Sequence, residues 1–210
     1  MQNTQGLTPY TTVGSAGESE IVISKSRFLG FCFPVSSEAE AAERIAEIKK
    51  RHWDARHVCY AFRLLGGIAR STDDGEPSGT AGAPILNVLT QGALENTLCA
   101  VVRYFGGVLL GTGGLVRAYG KAAAEAVAGA GLLRYRACQR AKIVVSYPSY
   151  AVLEPLTKAL AYPCHAEFSE TVTLLCTIPA EESERFCRTI TDKTDGSAQI
   201  ELLERTLCAV

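Results

Sequence analysis

Apolar residues in the first 131 positions repeat at two spacings, which predict an alternation of strands and helices. Two-residue alternation or continuous apolar runs predict strands over three segments: 20–35, 58–65 and 98–105. Helical spacing predicts three helices: 37–52, 85–93 and 115–131. A polar patch at Lys25–Arg27 divides the first apolar segment into a strand pair or one long bent strand. Ser37 and Glu40 form a capping-box pattern, which marks the start of the first helix.

The segment from Leu98 to Gly114 is the one around which the chain is organised. Its first half carries apolar residues on both strand faces, which predicts a buried central strand. Its second half is rich in glycine and leads into the third helix. A strand, a glycine-rich turn and a helix start form a place where backbone N–H groups can point at an anion.

Arginines stand on both sides of this glycine turn. Arg103 enters the turn and Arg117 leaves it, and guanidinium groups form forked hydrogen bonds with phosphate. The sequence therefore predicts a phosphate- or nucleic-acid-binding site made of Arg27, Arg103, Gly106, Gly107, Gly111, Gly113, Gly114, Arg117 and Lys121. The alternative is a tight strand-to-helix turn whose glycines serve packing, with Lys121 and Glu125 as a solvent-facing ion pair. Spacing leaves both open, because the pattern is neither a P-loop nor a clean dinucleotide-binding motif.

Residues 71–84 consist of turn-forming residues and contain three carboxylates, Asp73, Asp74 and Glu76. Carboxylate oxygens suit Mg²⁺, and next to a phosphate loop they would indicate phosphoryl transfer. A capped surface turn whose carboxylates pair with Arg103 or Arg117 explains the same residues. We favour the capped turn, so the sequence predicts neither a metal site nor a cofactor.

A second pattern of elements begins after Cys138. It predicts a strand over 141–147, a helix over 149–161, strands over 164–168 and 171–178, a helix over 180–192 and a strand over 198–204. This β-α-β-β-α-β order is that of a ferredoxin-like sandwich. We therefore predict an α+β protein with two domains, 1–136 and 137–210.

Composition limits the classes of function. The 210 residues carry a net charge of −1, so any nucleic-acid binding needs a local basic patch. No apolar run reaches the roughly 18 residues of a membrane span, and the polar N-terminus lacks the apolar core of a signal peptide. The eight cysteines stand singly, without the CxxC spacing of a zinc site, so we expect all of them to be reduced in a cytoplasmic protein. The oligomeric state stays open.

Two longer motifs resemble the YigZ/Impact family: DDGEPSGTAGAPIL at Asp73–Leu86 and VVRYFGGVLLGTGGLVRAYGKAA at Val101–Ala123. KSRFLG at Lys25–Gly30 and HVCYAF at His57–Phe62 follow in the family's order. The resemblance implies an N-terminal domain with the left-handed βαβ fold of GHMP kinases and of domain IV of elongation factor G. It also implies a C-terminal ferredoxin-like domain similar to domain V of that factor, and a link with the regulation of translation.

These observations are compatible with three functions. The one we expect is a non-enzymatic RNA- or ribosome-associated protein that binds the phosphate backbone at the glycine and arginine turn. The second is an enzyme that acts on a phosphorylated small molecule or nucleotide with Mg²⁺, although the chain has neither a P-loop lysine nor an obvious base. The third is a protein-binding adaptor.

Overall fold

The computed structural model describes residues 7–159 and 163–209. The described chain divides into two compact units, Tyr10–Arg134 and a C-terminal unit that begins at Tyr135 and includes residues 7–9. Each unit combines helices with an antiparallel sheet, so the predicted α+β class is confirmed. The predicted domains, 1–136 and 137–210, are defined as parts that fold independently, so they stay a prediction.

The N-terminal unit contains, in chain order, β1 (Tyr10–Val13), β2 (Gly17–Ile23), β3 (Ser26–Pro34), α1 (Glu38–Arg51), β4 (His57–Leu64), β5 (Ile68–Thr72), α2 (Gly82–Gln91), β6 (Thr97–Tyr104) and α3 (Gly111–Ala130). Its five-stranded sheet has the order β2-β3-β6-β4-β5, and every neighbouring pair is antiparallel. Strands β3 and β4 therefore run parallel on either side of β6, and α1 connects them as a βαβ crossover. Strand β6 is central and buried, as its apolar pattern predicts.

Helices cover both faces of this sheet. On one face α2 and α3 pack over a core that includes Phe28, Cys99 and Tyr119. On the other face α1 packs its apolar stripe of Ala41, Ile45 and Ile48 over two smaller clusters. Successive side chains of a strand therefore face opposite sides of the sheet, one covered by α2 and α3 and the other by α1.

The polar patch in the first apolar segment is a hairpin turn. Ser24 and Lys25 connect β2 to β3 with positive φ angles of 48° and 67°. Positive φ at two successive positions closes a two-residue hairpin with the twist that the flanking strands need. Of the two predictions for 20–35, the strand pair is therefore right.

The start of α3 differs from the prediction. The helix begins at Gly111 rather than at Leu115, so Gly111, Gly113 and Gly114 form its first turn instead of a loop. Glycine is a poor helix former, and Gly111 and Gly113 are exposed, so the buried residues that follow, from Leu115 on, hold the helix against the core. Within the helix, Val116 is 40% exposed while Ala118 lies in the core.

The C-terminal unit contains β7 (Leu132–Val145, which begins in the N-terminal unit), α4 (Tyr147–Ala159), β8 (Cys164–Phe168), β9 (Val172–Pro179), α5 (Ser183–Lys193) and β10 (Gln199–Ala209). The strand order β10-β7-β9-β8 with antiparallel pairing is that of a ferredoxin-like sandwich, as predicted. Leu153, Phe186 and Ile190 from the two helices pack into one core with the sheet. Residues 160 and 161 of the predicted helix lie outside the described residues.

The expectation that all eight cysteines are reduced is wrong for this structure. Cys164 and Cys176 form a disulfide, and they are directly opposite partners in the antiparallel pair β8–β9. Their separation of 12 residues gives no spacing motif, so only the strand register brings the two sulfurs together. Cysteines 32, 59, 99, 138, 187 and 208 are free thiols.

Candidate functional site

The acidic loop between β5 and α2 is anchored by Asp73. Its carboxylate accepts hydrogen bonds from the backbone N–H groups of Gly79, Ala81 and Gly82 at 2.8–2.9 Å. Asp73 therefore satisfies N–H groups at the start of α2, where the N-cap residue offers no side-chain acceptor. Burial by itself raises the pKa of Asp73, but the three N–H donors outweigh it and hold the pKa below its ordinary value.

The neighbouring carboxylate of Asp74 ties the loop to β4 and α1. It accepts the N–H of Val58 at 2.8 Å and lies 3.2 Å from Lys49 Nζ, and the carbonyl of Asp74 is 2.8 Å from His57 Nδ1. Asp74 and Gly75 both have positive φ, 43° and 87°. The turn thus directs this carboxylate toward protein donors.

Glu76 and Arg103 form a buried ion pair. Their side chains are 3% and 7% exposed, and Arg103 Nη1 donates to Glu76 Oε1 at 2.7 Å. The hydroxyl of Tyr119 donates to the same oxygen at 2.8 Å. Burial raises the pKa of Tyr119, so its hydroxyl keeps its proton and remains a donor.

Aromatic rings enclose the rest of this guanidinium. The centroids of Phe28 and Phe105 both lie 5.5 Å from the Arg103 guanidinium carbon, and Arg103 Nε is buried without a hydrogen-bond partner. Arg103 is therefore buried inside the N-terminal unit. It pairs with the acidic loop, as the capped-turn interpretation of the sequence predicts.

The three acidic-loop carboxylates thus all accept hydrogen bonds from protein groups. Across 7–159 and 163–209, no group of three or more His, Cys, Asp or Glu side chains is arranged to hold a metal ion. No observation from this loop favours the Mg²⁺-dependent enzyme.

The connection between β6 and α3, residues 105–110, crosses the hairpin turn of β2–β3. A Cβ on Gly106 would overlap the Lys25 carbonyl group, and the Gly106 N–H donates to Ser26 Oγ at 3.1 Å. Gly106 therefore permits two backbones to touch. Gly107 has φ of 82° and open space around it. Apolar side chains at the tip point to solvent, with Leu109 86% exposed.

The N-terminus of α3 is an open end of a 20-residue helix. Its N-cap, Leu110, makes no side-chain hydrogen bond, and the first turn holds no acidic residue. The exposed Arg117 lies in the second turn, and its Nη1 is 3.7 Å from the position a Cβ would take on Gly113. The guanidinium thus folds back over the first turn, where it adds to the positive end of the helix dipole.

The other predicted site residues lie apart from this end. Lys121 is exposed and pairs with Glu125 at 3.8 Å, as the solvent-facing alternative predicts. Arg27 pairs with Glu20 at 2.9 Å and lies over the Tyr104 ring, on the sheet face opposite to Arg103. The structure therefore brings together Gly111, Gly113, Gly114 and Arg117 and separates them from Arg27, Arg103 and Lys121.

Two further residues of this region lie outside the set of site residues predicted from the sequence. Lys25 is exposed, forms no salt bridge within the described chain and has its backbone against Gly106; its signal was the KSRFLG motif. Cys59 donates its Sγ–H to the Asp73 carbonyl at 2.9 Å, and burial raises its pKa to about 12. No local pattern could reveal the second contact, because strand pairing and loop closure create it.

Known proteins share both the sequence and the fold. Residues 24–127 match the family model described as the Impact N-terminal domain. The chain is 40% identical over 204 residues to IMPACT family member YvyE of Bacillus subtilis, with 95% of this chain and 94% of YvyE covered. The chain belongs to the IMPACT family.

Further relatives in the IMPACT family cover most of the chain. IMPACT family member YigZ of Escherichia coli is 34% identical over 194 residues, which span 87% of this chain and 92% of YigZ. A crystal structure titled as that of a hypothetical protein aligns with a TM-score of 0.59 at 29% identity, over 93% of this chain and 98% of that one. Sequence motifs and structure therefore agree on the family. Along the residues the structure describes, no helix has both the length and the apolarity to cross a membrane.

Proposed function

We propose that this IMPACT family protein is a non-enzymatic RNA- or ribosome-associated protein in the regulation of translation. Its contact with RNA is a phosphate group bound at the start of α3. The proposal places the protein in the cytoplasm, where ribosomes are.

The observation that carries the proposal is the guanidinium of Arg117 over an uncapped helix start. The first N–H groups of α3 have no side-chain acceptor, and Nη1 of Arg117 lies beside Gly113. Backbone N–H groups, the helix dipole and a guanidinium together form a binding place for an oxyanion. Glycine at three of the first four helical positions lets a phosphate approach the backbone closely.

The proposed contact set differs from the set predicted from sequence because it omits Arg27, Arg103 and Lys121 and adds Lys25. Arg103 stabilises the loop from inside through Glu76, whereas Lys25 and Arg117 are the exposed cations beside the 105–110 connection. Neither Lys25 nor Arg117 forms a salt bridge within the described residues, so each remains available to a phosphate. A local patch of two cations agrees with the net charge of −1, which excludes a uniformly basic surface.

The test compares Arg117→Ala with Lys121→Ala for binding of a labelled single-stranded RNA and of ribosomal subunits across a range of salt concentrations. Arg117→Ala should weaken binding roughly tenfold. The slope of log K against log salt should become less steep by about 0.7 for a single strand. Lys121→Ala is the matched control, because it removes one cation a helical turn further on and leaves the helix start intact.

Two outcomes would contradict the proposal. One is equal affinity of the two variants, which would exclude the start of α3 as the phosphate site. The other is the absence of any salt-sensitive affinity of the unsubstituted protein for RNA or ribosomal subunits.

A further inference from the structure

A cleft of about 370 Å³ opens on the sheet face that carries α1, at the edge formed by β2 and β3. Leu29 and Phe31 form its floor, and His52 at the end of α1 forms one wall. These floor residues alternate along β3 with Phe28 and Cys32, which face α3. The cleft therefore lies on the face opposite to α3 and is separate from the proposed phosphate site.

The charges around the cleft cancel in pairs. Arg27 lies 2.9 Å from Glu20, and Arg51 lies 3.3 Å from Glu18. Burial lowers the pKa of His52, so the imidazole is neutral near pH 7 and adds no charge. A rim with two guanidiniums and two carboxylates offers hydrogen-bond donors and acceptors without net charge. Such a rim suits a neutral polar ring better than a phosphate.

An exposed tryptophan follows the last cleft residue in the chain. Trp53 follows His52 directly in the chain, is 84% exposed and is the chain's single tryptophan. Lys50 and Arg56 lie three residues before and after it in the chain, and both are exposed without a salt bridge in the described parts of the chain. The chain around His52 thus carries an accessible aromatic face and two unpaired cations.

We infer that this cleft binds a nucleobase, with the indole of Trp53 as a stacking surface and Lys50 and Arg56 as partners of the adjoining phosphates. A planar base carries hydrogen-bond donors and acceptors that can pair with the guanidinium and carboxylate groups of the rim. The cavity volume lies in the range of small-molecule binding sites. Aromatic faces with nearby cations bind single-stranded nucleic acid without strict sequence preference. The inference deepens the proposed function and rests on it in naming single-stranded RNA as the source of the base.

The single tryptophan makes a direct test possible. Trp53 fluorescence of the full-length protein is followed during titration with a short unstructured RNA, with an abasic phosphodiester oligomer of the same length, and with a free mononucleotide. A free tryptophan amide corrects for absorption by the bases. The RNA should quench Trp53 in a saturable way, and the abasic oligomer should not.

A second measurement uses anisotropy of labelled RNA. Trp53→Ala should weaken RNA binding by about fivefold to tenfold and Trp53→Phe by less than about threefold, because phenylalanine keeps an aromatic face. Affinity for the labelled abasic oligomer should be unchanged in both variants. Tyr147→Ala on α4, which removes an exposed aromatic ring of the C-terminal unit, is the control and should leave RNA affinity unchanged.

The outcomes separate this inference from the proposed function. RNA binding without quenching, and with Trp53→Ala unchanged, overturns the inference while the proposed function stands. Quenching by the mononucleotide without any RNA affinity supports a nucleobase site and overturns RNA as its source. Neither RNA binding nor quenching by either ligand overturns both.

Discussion

At the residue scale, surroundings decide what an arginine does. Arg103 and Arg117 both border the glycine segment, yet Arg103 is buried against Glu76 and two aromatic rings while Arg117 is exposed over the start of α3. A buried charge must be paired, because an unpaired one loses its hydration without compensation. Arg103 therefore stabilises the folded N-terminal unit, whereas Arg117 remains available to bind a ligand.

This difference predicts that Arg103 and Glu76 substitutions act on stability. Glu76→Gln should lower the free energy of unfolding by about 3–5 kcal/mol, since it leaves the Arg103 charge buried and unpaired. The double variant Glu76→Gln/Arg103→Met should lose less than the sum of the single variants, because it removes both charges. Urea unfolding measures all three.

A control measurement concerns RNA. Arg103→Met, assayed well below its melting temperature, should keep the RNA affinity of the unsubstituted protein, in contrast to Arg117→Ala. A selective loss of RNA affinity in Arg103→Met with unchanged stability would instead place Arg103 in the phosphate site.

At the element scale, the glycines around α3 serve different purposes. Gly106 lies against the Lys25 backbone, so a side chain there has no room. Gly120 lies within α3, and the position that its Cβ would take has no neighbour within 4 Å, so a methyl group there meets only open space. Glycine in a helix interior costs stability relative to alanine, because its unfolded chain has more freedom to lose.

Alanine should therefore have opposite effects at these two positions. Gly120→Ala should raise the free energy of unfolding by about 0.5–1 kcal/mol. Gly106→Ala should lower it by about 1–3 kcal/mol or more, because the backbones of the β6–α3 connection and the hairpin turn must separate. Thermal and urea unfolding of the pair measure this. Equal effects of the same sign would show that close backbone approach at Gly106 has no energetic importance.

At the scale of the whole molecule, the boundary between the two units falls within a strand. Strand β7 runs continuously over Leu132–Val145, and from Tyr135 on it pairs with β10. Arg136 is opposite Cys208 in that pairing and forms a salt bridge with Glu181 at 2.7 Å. A cut at the predicted boundary, after residue 136, would remove these contacts from the C-terminal unit.

We expect the C-terminal unit to fold alone, and to be more stable when it begins at residue 135 than at 137. The longer fragment keeps two more strand positions and the Arg136 salt bridge, so its melting temperature should be higher by roughly 5 °C. Circular dichroism melts of fragments 135–210 and 137–210 give the comparison, with fragment 10–134 expected to show its own cooperative transition. Failure of both C-terminal fragments to fold would refute two independently folding domains.

The sequence determined those features that short-range interactions encode. Alternating apolar residues defined β4 and the ferredoxin-like order of the second half, because period-two patterns have one stable half-buried solution. Apolar residues on both faces defined β6 as a buried strand. The Ser37 side chain accepts the Glu40 N–H at 3.1 Å, so the start of α1 was also predictable. The family motifs predicted the IMPACT family, which the comparisons confirm.

Tertiary structure decided the features that depend on residues distant in the chain. The first turn of α3 contains three glycines, whose own preference opposes a helix, and the buried residues that follow them, from Leu115 on, hold the helix against the core. Glu76, 27 residues before Arg103, removes that arginine from the surface. The register of β8 with β9 sets Cys164 opposite Cys176. In each case the deciding free energy comes from burial or pairing across the fold, and a local pattern of residues carries no information about that partner.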